Sequence, residues 1–154
     1  MPFVIEKTLD INAPAAVVWE VISDLPRYPQ WNPFCLECRS TLVPGDPIDM
    51  KVKLMVKPQQ QREWMISCEP GRGFSYRMQP VPAGALSSFR SHEIESTGVA
   101  TSRYRSYFHL KGWMKFVVLG LFRSKLEAGF ASMSAAIKDR AESLWAQRQA
   151  SAAA

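Results

Sequence analysis

An α+β fold, with one antiparallel sheet closed by a single long C-terminal helix, is predicted by three features of the sequence. The first is the periodicity of its last third. From Leu126 the apolar residues fall at Phe130, Met133, Ile137, Ala141 and Leu144, all on one helical face, leaving Lys138, Asp139, Glu142 and Arg148 for water. The second is a series of upstream segments rich in Val, Ile, Tyr, Phe and Trp, punctuated by Pro and Gly. The third is size: 154 residues, 47% hydrophobic and 21% charged, suit one ordinary globular domain with a sizeable core.

Each element follows in order. Residues 3–11 read as a strand through Val4, Ile5, Leu9 and Ile11. Asn12-Ala13-Pro14 supplies a helix start, with Asn12 or Ala13 near the cap and Pro14 at the first helical position. Val17, Val18, Val21 and Ile22 give that helix its apolar face, and it stops near Asp24-Leu25-Pro26. A second short helix is expected over Pro26–Gln30. Strands then follow at Leu36–Val43, Ile48–Val56, Gln61–Cys68, Gly73–Gln79, Ser87–Ser96 and Thr101–Leu110, separated by turns such as Pro44-Gly45-Asp46-Pro47 and Glu69-Pro70-Gly71. Gly112 to Phe122 is an apolar bridge into the long helix. The order is strand, two short helices, six strands, long helix. It makes a single domain over residues 1–149, with a small-residue tail at 150–154 expected to fray.

The composition also excludes function classes. The net charge is +5, and the densest basic group is Arg103, Arg105, Lys111, Lys115, Arg123 and Lys125. No nucleic-acid module accompanies it, so a solvated basic face is expected, with weak peripheral attraction to acidic membranes as the alternative. The start, Met1-Pro2-Phe3-Val4-Ile5-Glu6-Lys7, lacks the basic and long apolar regions of a signal peptide, and Phe116–Phe122 is too short to span a bilayer. Three cysteines make no disulfide framework, which points to the cytoplasm. Cys35 and Cys38 form a C-x-x-C, but in a strand residues three apart face opposite sides and no histidine is near, so no metal site is expected.

Particular words along the chain carry a family resemblance. They are Ala13-Pro14 with Val18-Trp19, then Tyr28-Pro29-Gln30-Trp31-Asn32-Pro33-Phe34, then Ala128-Gly129-Phe130 with Met133 and Ala141-Glu142. In this order they resemble the SRPBCC superfamily, which includes START-like lipid-transfer and polyketide cyclase/dehydrase-like proteins. The resemblance implies a helix-grip fold: a curved seven-stranded antiparallel sheet wrapped around the C-terminal helix, with a deep cavity between them. Members bind lipids, polyketides or other hydrophobic molecules, and some are cyclases. It implies no cofactor.

Period-two alternation assigns the walls of such a cavity. Ser102, Tyr104, Ser106, Phe108 and Leu110 should face the helix, with Arg103, Arg105 and His109 outside. Ser88, Arg90, His92 and Ile94 share a face of the preceding strand, and Arg90 and His92 would be its polar anchors. Phe74, Tyr76 and Met78 supply one wall, and Met50, Val52 and Leu54 the opposite one. Phe130, Met133 and Ile137 make the lid, and Trp31 and Phe34 lie near an entrance. His92 sits where relatives commonly have a His, whereas Ser106 and Phe108 stand where they often have His and Glu.

The expected function is binding of a small hydrophobic molecule. The alternative enzyme is a cyclase with His92 as base and Tyr76, Tyr104 or Arg90 stabilising an enolate. No G-x-S-x-G, H-E-x-x-H or glycine-rich phosphate loop occurs, so catalysis is not assigned. A third reading makes residues 112–122 a membrane or partner contact, against their burial as a gate over the cavity. The sequence assigns no oligomeric state.

Overall fold

The computed structural model describes residues 1–153. The chain forms β1 (Phe3–Ile11), α1 (Ala15–Ser23), a 3-10 turn (Leu25–Arg27), α2 (Tyr28–Trp31), β2 (Cys35–Ser40), β3 (Pro47–Val52), β4 (Gln59–Glu69), β5 (Gly73–Met78), β6 (Ser87–Ser96), β7 (Ser102–Lys111) and α3 (Lys115–Ala153). One antiparallel sheet has the order β1-β7-β6-β5-β4-β3-β2 and curves around α3, the helix-grip arrangement that the sequence leads one to expect. Bulges between Cys35 and Glu37, and between Met65 and Ser67, interrupt its ladders, and each tightens the local bend.

Several boundaries differ from the sequence reading for identifiable reasons. Pro14 is the cap of α1 rather than its first residue: its ψ of 150° is extended, while its carbonyl already accepts from the N–H groups of Val17 (3.0 Å) and Val18 (3.2 Å). The strand expected to reach Val43 ends at Ser40, where the Ser40 hydroxyl bonds Pro47 O (2.9 Å) and Leu42 takes φ +59°. The strand expected to reach Val56 ends at Val52: the Lys53 N–H still bonds Phe34 O (2.9 Å), but the Phe34 N–H is taken by Asn32 Oδ1 (3.0 Å), so the ladder stops there. The bulge in β2 buries Cys35 and Cys38 together, where simple alternation placed them on opposite faces.

The apolar bridge at residues 112–122 is the largest correction: after a turn at 112–114 it is the start of α3 itself. Gly112 turns the chain at φ +106°, where any Cβ would lie 2.3 Å from Ala85 O, and the Met114 N–H then bonds that same carbonyl (2.9 Å). This stretch is not a buried gate, since Trp113, Phe116, Val117 and Leu121 are exposed. At the other end the helix continues through Ala153, past the point where fraying was expected; Ala154 lies outside the described residues. Bonds from Arg148 to Glu20 (2.9 and 2.7 Å) tie the distal helix to α1.

The two most specific sequence words meet in space. Asn32 Oδ1 accepts from the N–H groups of Phe34 (3.0 Å) and Cys35 (2.9 Å), a local turn that aims Phe34 inward. The Phe34 ring lies over Gly129, and its edge meets Phe130 at 5.1 Å between centroids. A Cβ on residue 129 would sit 2.3 Å from a Phe34 ring carbon.

Gly129→Ala therefore sets a helix-propensity gain of about 1 kcal/mol against an overpacking cost of about 1–3 kcal/mol. We expect a net loss of about 1 kcal/mol in urea unfolding, and a Phe34→Leu background should cancel most of it. A Gly129→Ala protein more stable than the parent would show that this contact does not constrain the helix.

Candidate functional site

A cavity of about 350 Å³ lies between the sheet and the first half of α3, partly open to solvent. Part of the set that alternation and the resemblance assigned to its walls lines it. Met50, Val52 and Leu54 line one side and Tyr76 and Met78 another. Phe108 and Arg90 form the floor, Phe130 and Met133 descend from α3, and Phe34 closes the β2 side.

Other expected lining residues stand elsewhere. Phe74, His92, Ile94, Tyr104 and Ile137 are buried but do not line the cavity. They belong to the closed end of the grip, where α1 fills the space and Trp19 meets the Phe74 ring at 6.3 Å. Ser106 lies behind the floor as a hydrogen-bond partner of Arg90. Trp31 packs its ring against Tyr28, 5.0 Å between centroids, rather than at the entrance. Alternation identifies the face of a strand but not the depth at which a helix plugs the groove, so it could not separate these two groups.

His92 is consequently a dry core residue. Its Nδ1 shares a 2.6 Å hydrogen bond with Tyr104 Oη, and the Phe74 ring lies 4.7 Å away. Burial lowers its pKa well below the usual histidine range, and nearby Arg90 lowers it further. The side chain expected to act as base therefore does not line the cavity, and its depressed pKa makes it a weaker base.

Arg90 has the opposite character. It is 2% exposed, yet it lines the cavity. Nη1 donates to Ser106 Oγ (2.6 Å), Tyr107 O (3.3 Å) and Ser91 O (3.4 Å), and the guanidinium sits 4.6 Å from the Phe130 ring centroid. Nε has no partner, and no carboxylate among the described residues forms an ion pair with this buried cation. A guanidinium stays charged inside proteins, so an unused donor here is an unmet demand for an acceptor.

Sequence reasoning missed Glu63, the cavity's carboxylate. It stands opposite Ile48 and Met78 in the sheet. Burial raises its pKa from 4.5 to about 7, partly opposed by Arg90. The polar run Gln59-Gln60-Gln61-Arg62 hid it, although the same alternation that put Ile48 and Met50 inside also puts Glu63 there.

A carboxyl whose pKa is raised on folding holds its proton in the folded state after the unfolded chain has released it. Its contribution to stability is full below pH 4.5 and is lost as pH rises through about 7. His92 titrates in the opposite sense, because its folded pKa is depressed. The difference between the parent and Glu63→Gln isolates the carboxyl. Measured by urea unfolding, Glu63→Gln should gain on the parent by up to about 3 kcal/mol between pH 4.5 and pH 8. A pH-independent difference would place Glu63 in water.

Comparison with known proteins gives the family. The chain matches the family described as polyketide cyclase/dehydrase and lipid transport over residues 2–142. No curated protein matches it in sequence. Among solved structures it is similar to the Zhui aromatase/cyclase from a Streptomyces species, at 16% identity and TM-score 0.69, covering 96% of each chain. It is also similar to a START superfamily protein from Mycobacterium smegmatis, at 15% identity and TM-score 0.70, covering 92% of this chain and 98% of that one. Norcoclaurine synthase from Thalictrum flavum aligns at 18% identity and TM-score 0.67, over 90% of this chain and 86% of its own. At such identities these neighbours share the fold, and the match over residues 2–142 is what shows that this chain belongs to the polyketide cyclase/dehydrase and lipid transport family, within the SRPBCC superfamily.

Proposed function

We propose that the protein binds a small, elongated hydrophobic molecule in this cavity, with an oxygen acceptor on the ligand turned toward Arg90. The observation that carries this reading is the buried guanidinium in a mostly apolar cavity, with an unpartnered Nε and no carboxylate among the described residues in ion-pair contact. A volume of about 350 Å³ suits a small lipid or polyketide-sized ligand. Burying ~300 Å² of apolar ligand surface at ~25 cal/mol/Å² contributes roughly 7–8 kcal/mol before the losses of association, so micromolar affinity is expected. Near pH 7 part of the Glu63 population is protonated, and in that form it donates a hydrogen bond rather than repelling a carboxylate. The free thiols Cys35, Cys38 and Cys68 favour a reducing compartment such as the cytoplasm.

A second reading has one specific observation in its favour. Should the family's cyclase chemistry operate here, Glu63 replaces His92 as the proton-moving group. It lines the cavity, titrates near neutrality and shares that cavity with Arg90, which would stabilise an enolate. Glu63→Gln would then abolish turnover while leaving binding in place.

The binding reading is tested by displacement of a neutral naphthylamine probe. A medium-chain carboxylic acid or ketone should compete about tenfold better than the matching hydrocarbon, and Arg90→Met should erase that preference while the probe still binds. Ser88 is a half-buried residue of the cavity wall, and Ser88→Trp should fill the space and lower probe affinity about tenfold without changing the far-ultraviolet circular dichroism. Unchanged probe binding in folded Ser88→Trp would mean that the cavity is not where the probe binds.

A further inference from the structure

The antiparallel order gathers one set of segments at a single end of the sheet: the start of β1, the β3–β4 loop, the β5–β6 loop and the β7–α3 turn. The cavity lies toward this end: Leu54 of the β3–β4 loop and Leu86 of the β5–β6 loop line it, with Val118 from the first turn of α3. Large apolar side chains stand exposed around it. Val56 is 94% exposed, Phe116 72%, Leu121 66% and Trp113 64%, with Val117 beside them. Positions 113, 116, 117 and 121 fall on one stripe of the α3 start, the side opposite Val118 and Phe122.

Positive charge predominates at this end. No Asp or Glu occurs in the β3–β4 loop (53–58), the β5–β6 loop (79–86) or residues 107–126. Lys53, Lys57, Lys111 and Lys125 are exposed and join no ion pair among the described residues. Lys115 reaches the carbonyl of Met1, and Arg123 pairs with Glu127 while stacking over Phe3. By contrast, Arg103 and Arg105, on the outer face of β7, are spent on Asp10, Glu95, Glu6 and Glu93. Of the basic group seen in the sequence, Arg103, Arg105 and Arg123 are therefore paired with carboxylates, whereas Lys111, Lys115 and Lys125 have none among the described residues.

We propose that this end is a docking surface for anionic lipid bilayers, with the Trp113–Leu121 stripe at the headgroup boundary and the lysines on the phosphates. A Trp- and Phe-bearing helical stripe flanked by lysines has the amphipathic chemistry of an interfacial helix. Each lysine near an acidic leaflet adds attraction that salt weakens. No described helix is long and apolar enough to cross a membrane, so the contact is peripheral. A nucleic acid would match the charge but would leave the apolar stripe in water. A second copy of the chain would cover the stripe but would set lysine against lysine. Docking here brings the cavity mouth to the lipid, so that a hydrophobic ligand passes between bilayer and cavity with little exposure to water.

The test is co-sedimentation of the full chain with vesicles of phosphatidylcholine alone or with phosphatidylserine added. Partition should be about tenfold stronger with phosphatidylserine and should fall as salt rises. The double variants Lys57→Glu/Lys125→Glu and Phe116→Ala/Leu121→Ala alter exposed positions outside the cavity wall, and each should lower partition about tenfold. Ser88→Trp, which fills the cavity, should bind vesicles normally; this separates the docking surface from the ligand reading. Absence of partition onto either vesicle would overturn the proposal, as would equal partition onto both. So would concentration-dependent dimerisation, lost in Phe116→Glu, in a protein that ignores vesicles.

Discussion

The seating of the Phe34 ring on Gly129 is the contact on which the separation of helix and sheet depends. Asn32 holds the turn that delivers the ring, and the missing side chain at residue 129 leaves a recess to receive it. With the ring there, Phe130 is turned edge-on at 5.1 Å and lies tilted against Phe108 at 4.8 Å, so the helix reaches the sheet through aromatic spacers rather than directly. Space remains beneath them because protein interiors transmit such constraints instead of flowing to fill them.

The grip is divided along its length. At the α1 end, Val18, Ile22, Tyr28, His92, Tyr104 and Ile137 close the groove, and the ring polar groups there find partners: Tyr28 Oη donates to Ile22 O at 2.6 Å and His92 pairs with Tyr104. Ser134 Oγ and Asn32 Nδ2, buried away from the cavity, find none among the described residues. At the other end Arg90 and Glu63 line the space without pairing to each other. Burying an unpaired cation and an unpaired carboxyl costs stability, and fully packed hydrophobic residues would do better at both positions. That the chain carries them at the open end alone is the physical reason for locating function there.

Much of this was legible in the sequence. The 3.6-residue period from Leu126 put Phe130 and Met133 on the helix face toward the cavity, and strict alternation in β6 and β7 put Arg90 and Phe108 inside and His109 outside, where it stacks on Phe89 at 5.4 Å. What was not legible depended on partners distant in sequence. The depth of the α1 plug decided that His92 and Tyr104 are core rather than cavity wall. The Gly112 turn, forced by contact with Ala85, decided that residues 115–122 are helix. Glu63 was hidden by local polarity, although its register was readable. The neutralisation of Arg103 and Arg105 needed the pairing of β1 with β7 and of β6 with β7.

The claim beneath all of this is that the groove is hollow between Met50, Phe108 and Phe130. A crystal of the protein held under xenon tests it most directly, because xenon enters apolar voids that water occupies poorly. Density for xenon among those three side chains is the result expected. Side chains meeting across the groove, with no xenon between them, would contradict the account.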